Sequence, residues 1–292
     1  MCEATGGYED ELVDAMHQFD VAVAVVNPRQ VRDFAKGHGF LEKTDKLDAA
    51  IICKFGQDVR PRPRTPPTPE QKHHRAVHRR RNQLTSLLQQ EKNRISRNDD
   101  SFTKKLAETT IGAIKAELKI VDQRIAELLQ QQSQTDSRIK NWQSVPGVGN
   151  ITVSAMVCEV PEIGTLSRGA IAKLIGVAPL ANQSGAKDKK RKARGGRGNV
   201  RTVLYMASLS ASHHNPVLKP FYQRLLKKGK PKKVALIAVA RKLLLILNDI
   251  ARHDQPWNPD TTIKKSSCAQ DTAATCSNHK NGSATKSHSM TN

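Results

Sequence analysis

Two acids three residues apart, a third acid before a glycine turn and a serine before a basic run are the residues whose types could carry chemistry. Asp45 and Asp48 stand in Lys-Thr-Asp-Lys-Leu-Asp-Ala, which reads as a helix start, and a three-residue spacing puts both carboxylates on one helix face. Two such carboxylates can hold Mg²⁺, whose octahedral shell is completed by waters and substrate phosphates. The same pattern is also an ordinary acidic first turn that favours the helix dipole. Glu3 precedes Ala4-Thr5-Gly6-Gly7, so a strand-end acid stands beside a glycine turn. Ser184-Gly185 leads into Lys187–Arg201, which carries Lys187, Lys189, Lys190, Arg191, Lys192, Arg194, Arg197 and Arg201 with three glycines and one acid. That run reads as a flexible loop contacting phosphates. By residue type alone, a serine before glycine is a turn residue.

A second phosphate-binding candidate is Pro146-Gly147-Val148-Gly149, followed by an apolar helix over Ile151–Val160 and another around Gly169–Ile175. This order resembles a helix-hairpin-helix, in which Gly147 and Gly149 let backbone amides approach a phosphate. A Pro-Gly turn before a plain helix fits the same residues. Lys219, Arg224, Lys227, Lys228, Lys230, Lys232 and Lys233 would extend a basic face if the fold brings them together.

The elements that must position these residues divide the chain. Residues 1–60 carry 7 Lys/Arg against 11 Asp/Glu, 61–98 carry 10 against 2, and 183–242 carry 17 against 1. Phe19–Val26 is a short β-branched run closed by Asn27-Pro28, the pattern of a buried strand in an α/β unit. Helices are expected over Tyr8–Gln18 and Thr44–Phe55. Arg60–Pro69 holds five prolines in ten residues and reads as an extended linker. From Glu70 to Lys140 glycine is nearly absent. Ile111, Ile114, Leu118, Val121, Ile125 and Leu128 follow a strict 3,4,3,4,3 spacing, with Leu84, Leu88 and Ile95 a looser stripe upstream. Two long helices follow, whose seam packs either within the monomer or against a second subunit. Trp142–Asp254 reads as a second, all-helical globular region, and the Ser/Thr/Asn/Lys-rich segment beyond Pro259 as a disordered tail.

Composition narrows the partners. The 48 Lys and Arg against 27 Asp and Glu give a net charge of +21, which calls for a polyanion because each neutralised phosphate releases counterions. No apolar stretch is long enough to span a bilayer, since Val234–Ile250 is broken by Arg241-Lys242 and Asn248-Asp249. Met1-Cys2-Glu3 does not open a secretory signal. Five widely spaced cysteines with no C-x-x-C pair fit a reducing cytosol. A cytoplasmic, nucleoid-associated protein is expected.

Seven blocks in fixed order carry a family resemblance: Cys-Glu-Ala-Thr-Gly-Gly-Tyr-Glu, Asn27-Pro28, Lys-Thr-Asp-Lys-Leu-Asp-Ala, the helical insert, Ser-Val-Pro-Gly-Val-Gly, Gly-Val-Ala-Pro, and Gln-Ser-Gly followed by Arg-Gly-Asn-Val-Arg. They resemble the DEDD insertion-sequence transposases with a serine-bearing C-terminal domain, the IS-one-ten group of RNA-guided recombinases, over residues 1 to 258. The resemblance implies an α/β plus all-α architecture. Residues 1–60 would be a partial RuvC-like (RNase H-like) domain, 61–140 a linker and coiled-coil spacer used in assembly, 141–258 a helical C-terminal domain, and 259–292 a tail. It implies strand cleavage and rejoining by Ser184, with Mg²⁺ held by Glu3, Asp45 and Asp48 as the second, third and fourth of four acids. It also implies DNA and a guide RNA as partners, and a homo-oligomer. The first acid belongs on a strand upstream of Glu3 and has no counterpart, so the expectation is a truncated copy, a misassigned start codon or a degraded element, an inactive copy being one outcome. A metal-dependent, structure-selective nuclease and a catalytically dead nucleic-acid-binding remnant are the alternatives.

Overall fold

The computed structural model describes residues 1–5, 7–40, 45–63, 67–97, 100–184, 187–193 and 195–260, with backbone alone for 45–47 and 180–192. The expected disordered tail therefore lies outside the described residues. The chain divides into two compact units, Met1–Lys72 and His73–Asn292.

The first unit is a small α/β unit. Strand β1 (Cys2–Glu3) pairs in parallel with β2 (Val25–Val26), Cys2 opposite Val25 and Glu3 opposite Val26. Helix α1 (Glu9–Gln18) makes the crossover that parallel pairing requires. Its first turn carries Glu9, Asp10 and Glu11 and its last turn His17, the polarity that the helix dipole favours. The expected strand over Phe19–Val26 contracts to two residues. Val23 and Ala24 are buried but lie outside the strand, although the Ala24 carbonyl accepts from the Cys2 amide at 3.0 Å, while Phe19 is 78% exposed. The β-branched run thus records burial at its end, not a ladder along its length.

Helix α2 (Pro28–Gly37), not anticipated, begins because Asn27 Oδ1 accepts from the Arg29 amide at 2.9 Å and Pro28 presets the first turn. Helix α3 (Asp45–Val59) packs on it through Val26, Val31, Ala35, Ile51 and Phe55, with the Phe34 and Phe55 rings edge to face at 5.3 Å.

In the second unit, α4 (Pro69–Ile95, which begins in the first) and α5 (Ser101–Gln132) run antiparallel. Arg80 reaches Glu117 at 2.8 Å, Arg81 reaches Asp122 at 2.6 Å, and His74 Nδ1 meets Gln132 Oε1 at 2.9 Å. Asp100 caps α5 by accepting from the Thr103 amide. The heptad seam is buried at Ile111, Ile114, Ile125 and Leu128 and only half-buried at Leu118 and Val121. Ile125 and Leu129 join the core of the C-terminal region, so that end of the seam packs within the chain.

That core is built by α6 (Ser137–Gln143), α7 (Asn150–Glu159), α8 (Arg168–Ile175), α9 (Gly198–His214), α10 (Leu218–Lys227) and α11 (Lys232–His253). Helix α11 is central, burying Leu236, Val239, Ala240, Leu243, Leu244 and Leu247. Buried Trp142 donates its indole N–H to the Leu247 carbonyl at 2.9 Å. Asn248, fully buried on the same helix, accepts from the Gly164 amide at 2.9 Å and donates to the Leu166 carbonyl at 3.3 Å, satisfying the loop before α8.

The region is not all helical. Strands β3 (Pro179–Ser184) and β4 (Lys187–Ala193) form an antiparallel ribbon with an irregularity between Leu180 and Asn182. A two-stranded ribbon leaves both faces wet and needs no apolar alternation, so a lysine-rich segment can be a strand without the pattern that announces one.

Candidate nucleic-acid interface

Ser184 is the last residue of β3, paired across the ribbon with Lys187. Gln183 faces Asp188, Asn182 faces Lys189 and Leu180 faces Lys192. The strand β4 thus carries Lys187, Lys189, Lys190, Arg191 and Lys192 into the segment beside the serine, in place of the expected flexible loop. Gly185 and Arg194 lie outside the described residues.

The base of the ribbon is fastened by glycine. Gly176 ends α8 in the left-handed conformation at φ +81°, and Gly196 has φ +69°. A Cβ on Gly196 would come within 2.4 Å of the Gly176 amide nitrogen and 2.5 Å of the Ile175 carbonyl carbon, so the two backbones cross where no side chain fits. Two of the basic candidates reinforce this crossing. Arg197 makes a bidentate pair with Glu162 at 2.6 and 2.7 Å and donates to the Glu159 carbonyl at 2.8 Å. Arg201 donates to the Gly195 carbonyl. The Arg197 guanidinium is spent on holding the ribbon's root to the α7–α8 region, and that of Arg201 on holding the root to α9. Sequence reading missed this, because Glu162 and Gly176 signal nothing until the chain returns to them.

Gly147 and Gly149 also separate in role. The turn that they occupy joins α6 to α7, ahead of both α7 and α8 as in the sequence order. Gly147, at φ +95°, lies so close to α9 that a Cβ would sit 2.6 Å from the Ala211 Cα and amide nitrogen. Asn215, fully buried and not singled out by sequence, locks the same turn. Its Nδ2 donates to the Pro146 carbonyl at 3.2 Å, and its Oδ1 accepts from the Val217 and Leu218 amides at 3.0 and 3.1 Å. Gly149 is the exposed N-cap of α7, with extended backbone, no side-chain cap, and open space where a Cβ would stand. It is the glycine of the pair that leaves amides approachable.

The acids lie in the first unit. Glu3 ends β1, half-buried, and the Ala4 amide continues the ladder to the Val26 carbonyl at 2.9 Å. The turn after it is organised by Glu9, whose Oε2 accepts from the Thr5 amide, the Thr5 hydroxyl and the Gly7 amide at 2.8–2.9 Å. Burial pushes the Glu9 carboxyl up, but these hydrogen bonds and that of its own amide together bring it below its usual range. Asp45 opens α3, and Asp48, half-buried, follows one turn later. Among the described residues no group of three or more His, Cys, Asp and Glu converges as a metal site; the Asp45 carboxylate is not among them. The donor set itself, carboxylates at a strand end and on one helix face, is chemically suited to Mg²⁺.

Residues 1–98 match a family model for DEDD transposases of the IS110 type, described as a transposase, and residues 140–223 match the Transposase IS116/IS110/IS902 family. Pilin gene-inverting proteins of Moraxella lacunata and Moraxella bovis are each 27% identical over 269 residues, covering 88% of this chain and 80% of theirs. The chain belongs to the IS110 family of transposases.

As an IS110-family transposase it is a DNA-processing enzyme of the transposase and recombinase class. The two family matches divide its candidate residues cleanly. Glu3, Asp45 and Asp48 fall in the N-terminal match, and Gly147, Gly149, Ser184 and the basic ribbon in the C-terminal one. No helix among the described residues is long and apolar enough to cross a membrane.

Proposed function

We propose that this transposase cuts and rejoins DNA with Ser184 as nucleophile. The observation that carries the reading is the position of Ser184, at the end of a strand whose partner carries five basic residues in seven and whose root is clamped by the Gly176–Gly196 crossing and the Arg197–Glu162 pair. A nucleophile needs fixed placement and nearby positive charge to receive a phosphate.

In the proposed step the Ser184 hydroxyl oxygen attacks phosphorus and loses its proton. The P–O bond to one deoxyribose oxygen breaks, and that oxygen leaves as a hydroxyl after taking up a proton. The product is a phosphoserine ester. One phosphoester bond has replaced another, so a deoxyribose hydroxyl of a second strand can reverse the chemistry and release the serine without an energy-supplying nucleotide. Lys187, Lys189, Lys190, Arg191 and Lys192 would hold the strand and offset the charge that develops on the phosphate. Glu3, Asp45 and Asp48 would hold Mg²⁺, which when bound polarises a phosphoryl oxygen. The substrate is DNA; a guide RNA is proposed as a second polyanionic partner of the same basic surface. The similarity to pilin gene-inverting proteins favours recombination between two sites in one molecule as one outcome of such chemistry. A homo-oligomer is proposed, since rejoining two duplexes needs two cleavage centres.

Labelled DNA carrying the element's ends should give a denaturant-resistant protein–DNA adduct that is lost in Ser184→Ala. An adduct persisting in that variant would sink the assignment. Cleavage without adduct, unchanged in Ser184→Ala, would instead identify a metal- and water-dependent nuclease, and binding with neither product a nucleic-acid-binding remnant.

A further inference from the structure

Two cations gather on one aromatic ring between α10 and α11, away from the ribbon in sequence, with a third at the start of α8, which also packs on α11. The Arg224 guanidinium carbon lies 5.4 Å from the Phe221 ring centroid and Lys242 Nζ lies 4.9 Å from it. Arg168, the first residue of α8, is near enough that its charge and that of Arg224 hold the Lys242 pKa below its ordinary value, with burial the larger cause. The carboxylate on this face is Asp249, two turns along α11 from Lys242, and its Oδ2 stands 3.9 Å from Arg168 Nη2. That is a long contact between groups in partial reach of solvent. Among the described residues, neither Arg224 nor Lys242 has an acidic partner.

Like charges held this close oppose one another, and half-burying a lysine opposes its charged form. The negative face of the Phe221 ring offsets part of that cost and fixes the two cationic heads before any ligand arrives. What Arg224 and Lys242 lack, among the described residues, is an anion. A guanidinium fork with an ammonium beside it suits a phosphate. Arg168 and Arg224 are exposed, so a ligand can reach them. From the end of α10 to the start of α11, exposed Lys227, Lys228, Lys230, Lys232 and Lys233 continue the positive charge. A polymer gains from such a track, whereas a small anion would use one contact.

We propose that Arg224 and Lys242, organised on Phe221, form with Arg168 a docking site for a backbone phosphate of the bound nucleic acid. The site rests on the nucleic-acid reading given above but is independent of Ser184 and of the ribbon.

The test measures binding of the full chain to a short random-sequence DNA duplex and to a single-stranded RNA, by fluorescence anisotropy across a salt series. Arg224→Gln/Lys242→Gln should lower the magnitude of the log–log salt slope by about 2 and weaken binding about tenfold near 0.1 M salt. A charge-matched control on α5, Lys115→Gln/Lys119→Gln, should leave the slope unchanged. The melting temperature of the α10–α11 variant should not fall, because two opposed charges are removed. Loss on DNA alone, on RNA alone or on both supports the site and names its polymer. An unchanged slope with a lowered melting temperature would overturn it, showing cations that serve only to pack on Phe221. If Lys189→Gln/Lys190→Gln weakens binding while the Arg224/Lys242 pair does not, this site fails and the wider reading stands. Absence of binding by the unmodified chain on either polymer would overturn both.

Discussion

Single residues in this protein show how one residue type serves opposed purposes. Gly147 and Gly149 sit two apart in one turn, yet only Gly147 combines a positive φ with backbone at 2.6 Å from its missing Cβ. Gly147→Ala should therefore lower stability by about 2–5 kcal/mol, through strain and collision with α9. Gly149→Ala should stay within about 1 kcal/mol while weakening nucleic-acid binding, if amides at the α7 start approach a phosphate. Thermal melts followed by tryptophan fluorescence check the first claim, since Trp142 and Trp257 both lie in the C-terminal unit. His74 offers a second case. Fully buried, it bridges Gln132 and the Ser154 hydroxyl at 2.9 and 2.8 Å, and Ser154 in turn meets His78 Nδ1 at 2.9 Å. Burial holds its pKa below the ordinary value, against the opposing pull of Gln132. The folded state thus keeps His74 neutral where the unfolded chain takes up a proton. Stability should be unaffected well above about pH 6.5 and should fall as pH drops below it, levelling only beneath the lowered folded pKa. His74→Gln should flatten that part of the melting-temperature profile between pH 7.5 and 5.5; an unaltered profile would remove His74 as its cause.

At the scale of elements, the α4–α5 hairpin changes character along its length. Near the C-terminal core its seam is buried at Ile125, Leu128 and Leu129. Toward the far end it leaves Leu87, Phe102 and Leu106 exposed, at 42, 68 and 55%. A helix pair that buries one end and presents apolar side chains at the other has the surface needed for a second copy. If the proposed homo-oligomer uses this end, Phe102→Lys/Leu106→Lys should reduce the mass measured by light scattering without lowering the melting temperature. Unchanged mass would move the assembly surface elsewhere. The cross-helix ion pairs Arg80–Glu117 and Arg81–Asp122 are exposed or partly so and set register more than stability.

For the whole molecule, charge and architecture coincide. The first sixty residues are net acidic, so the excess of positive charge belongs to the remainder, where the ribbon and the α10–α11 lysines lie. Non-specific duplex binding should weaken on the order of 10³-fold or more between about 50 and 200 mM salt, if six or more phosphates are engaged. A dissociation constant indifferent to salt would remove the electrostatic account of binding.

The sequence alone was sufficient for the class of partner, the helix pair, the α1 and α3 helices and the family, because net charge, heptad spacing and ordered motif blocks are local or additive properties. Three features were decided only by tertiary structure. The basic run became a strand because Gly176 and Gly196 bring its root against α8. Arg197 and Arg201 became clamps because Glu162 and the Gly195 carbonyl lie within reach. Phe221, Arg224, Lys242 and Arg168, scattered over seventy-five positions, became one cluster only when α8, α10 and α11 packed together. Each depends on contacts between residues distant along the chain, and such contacts leave no periodicity or spacing for a single sequence to display.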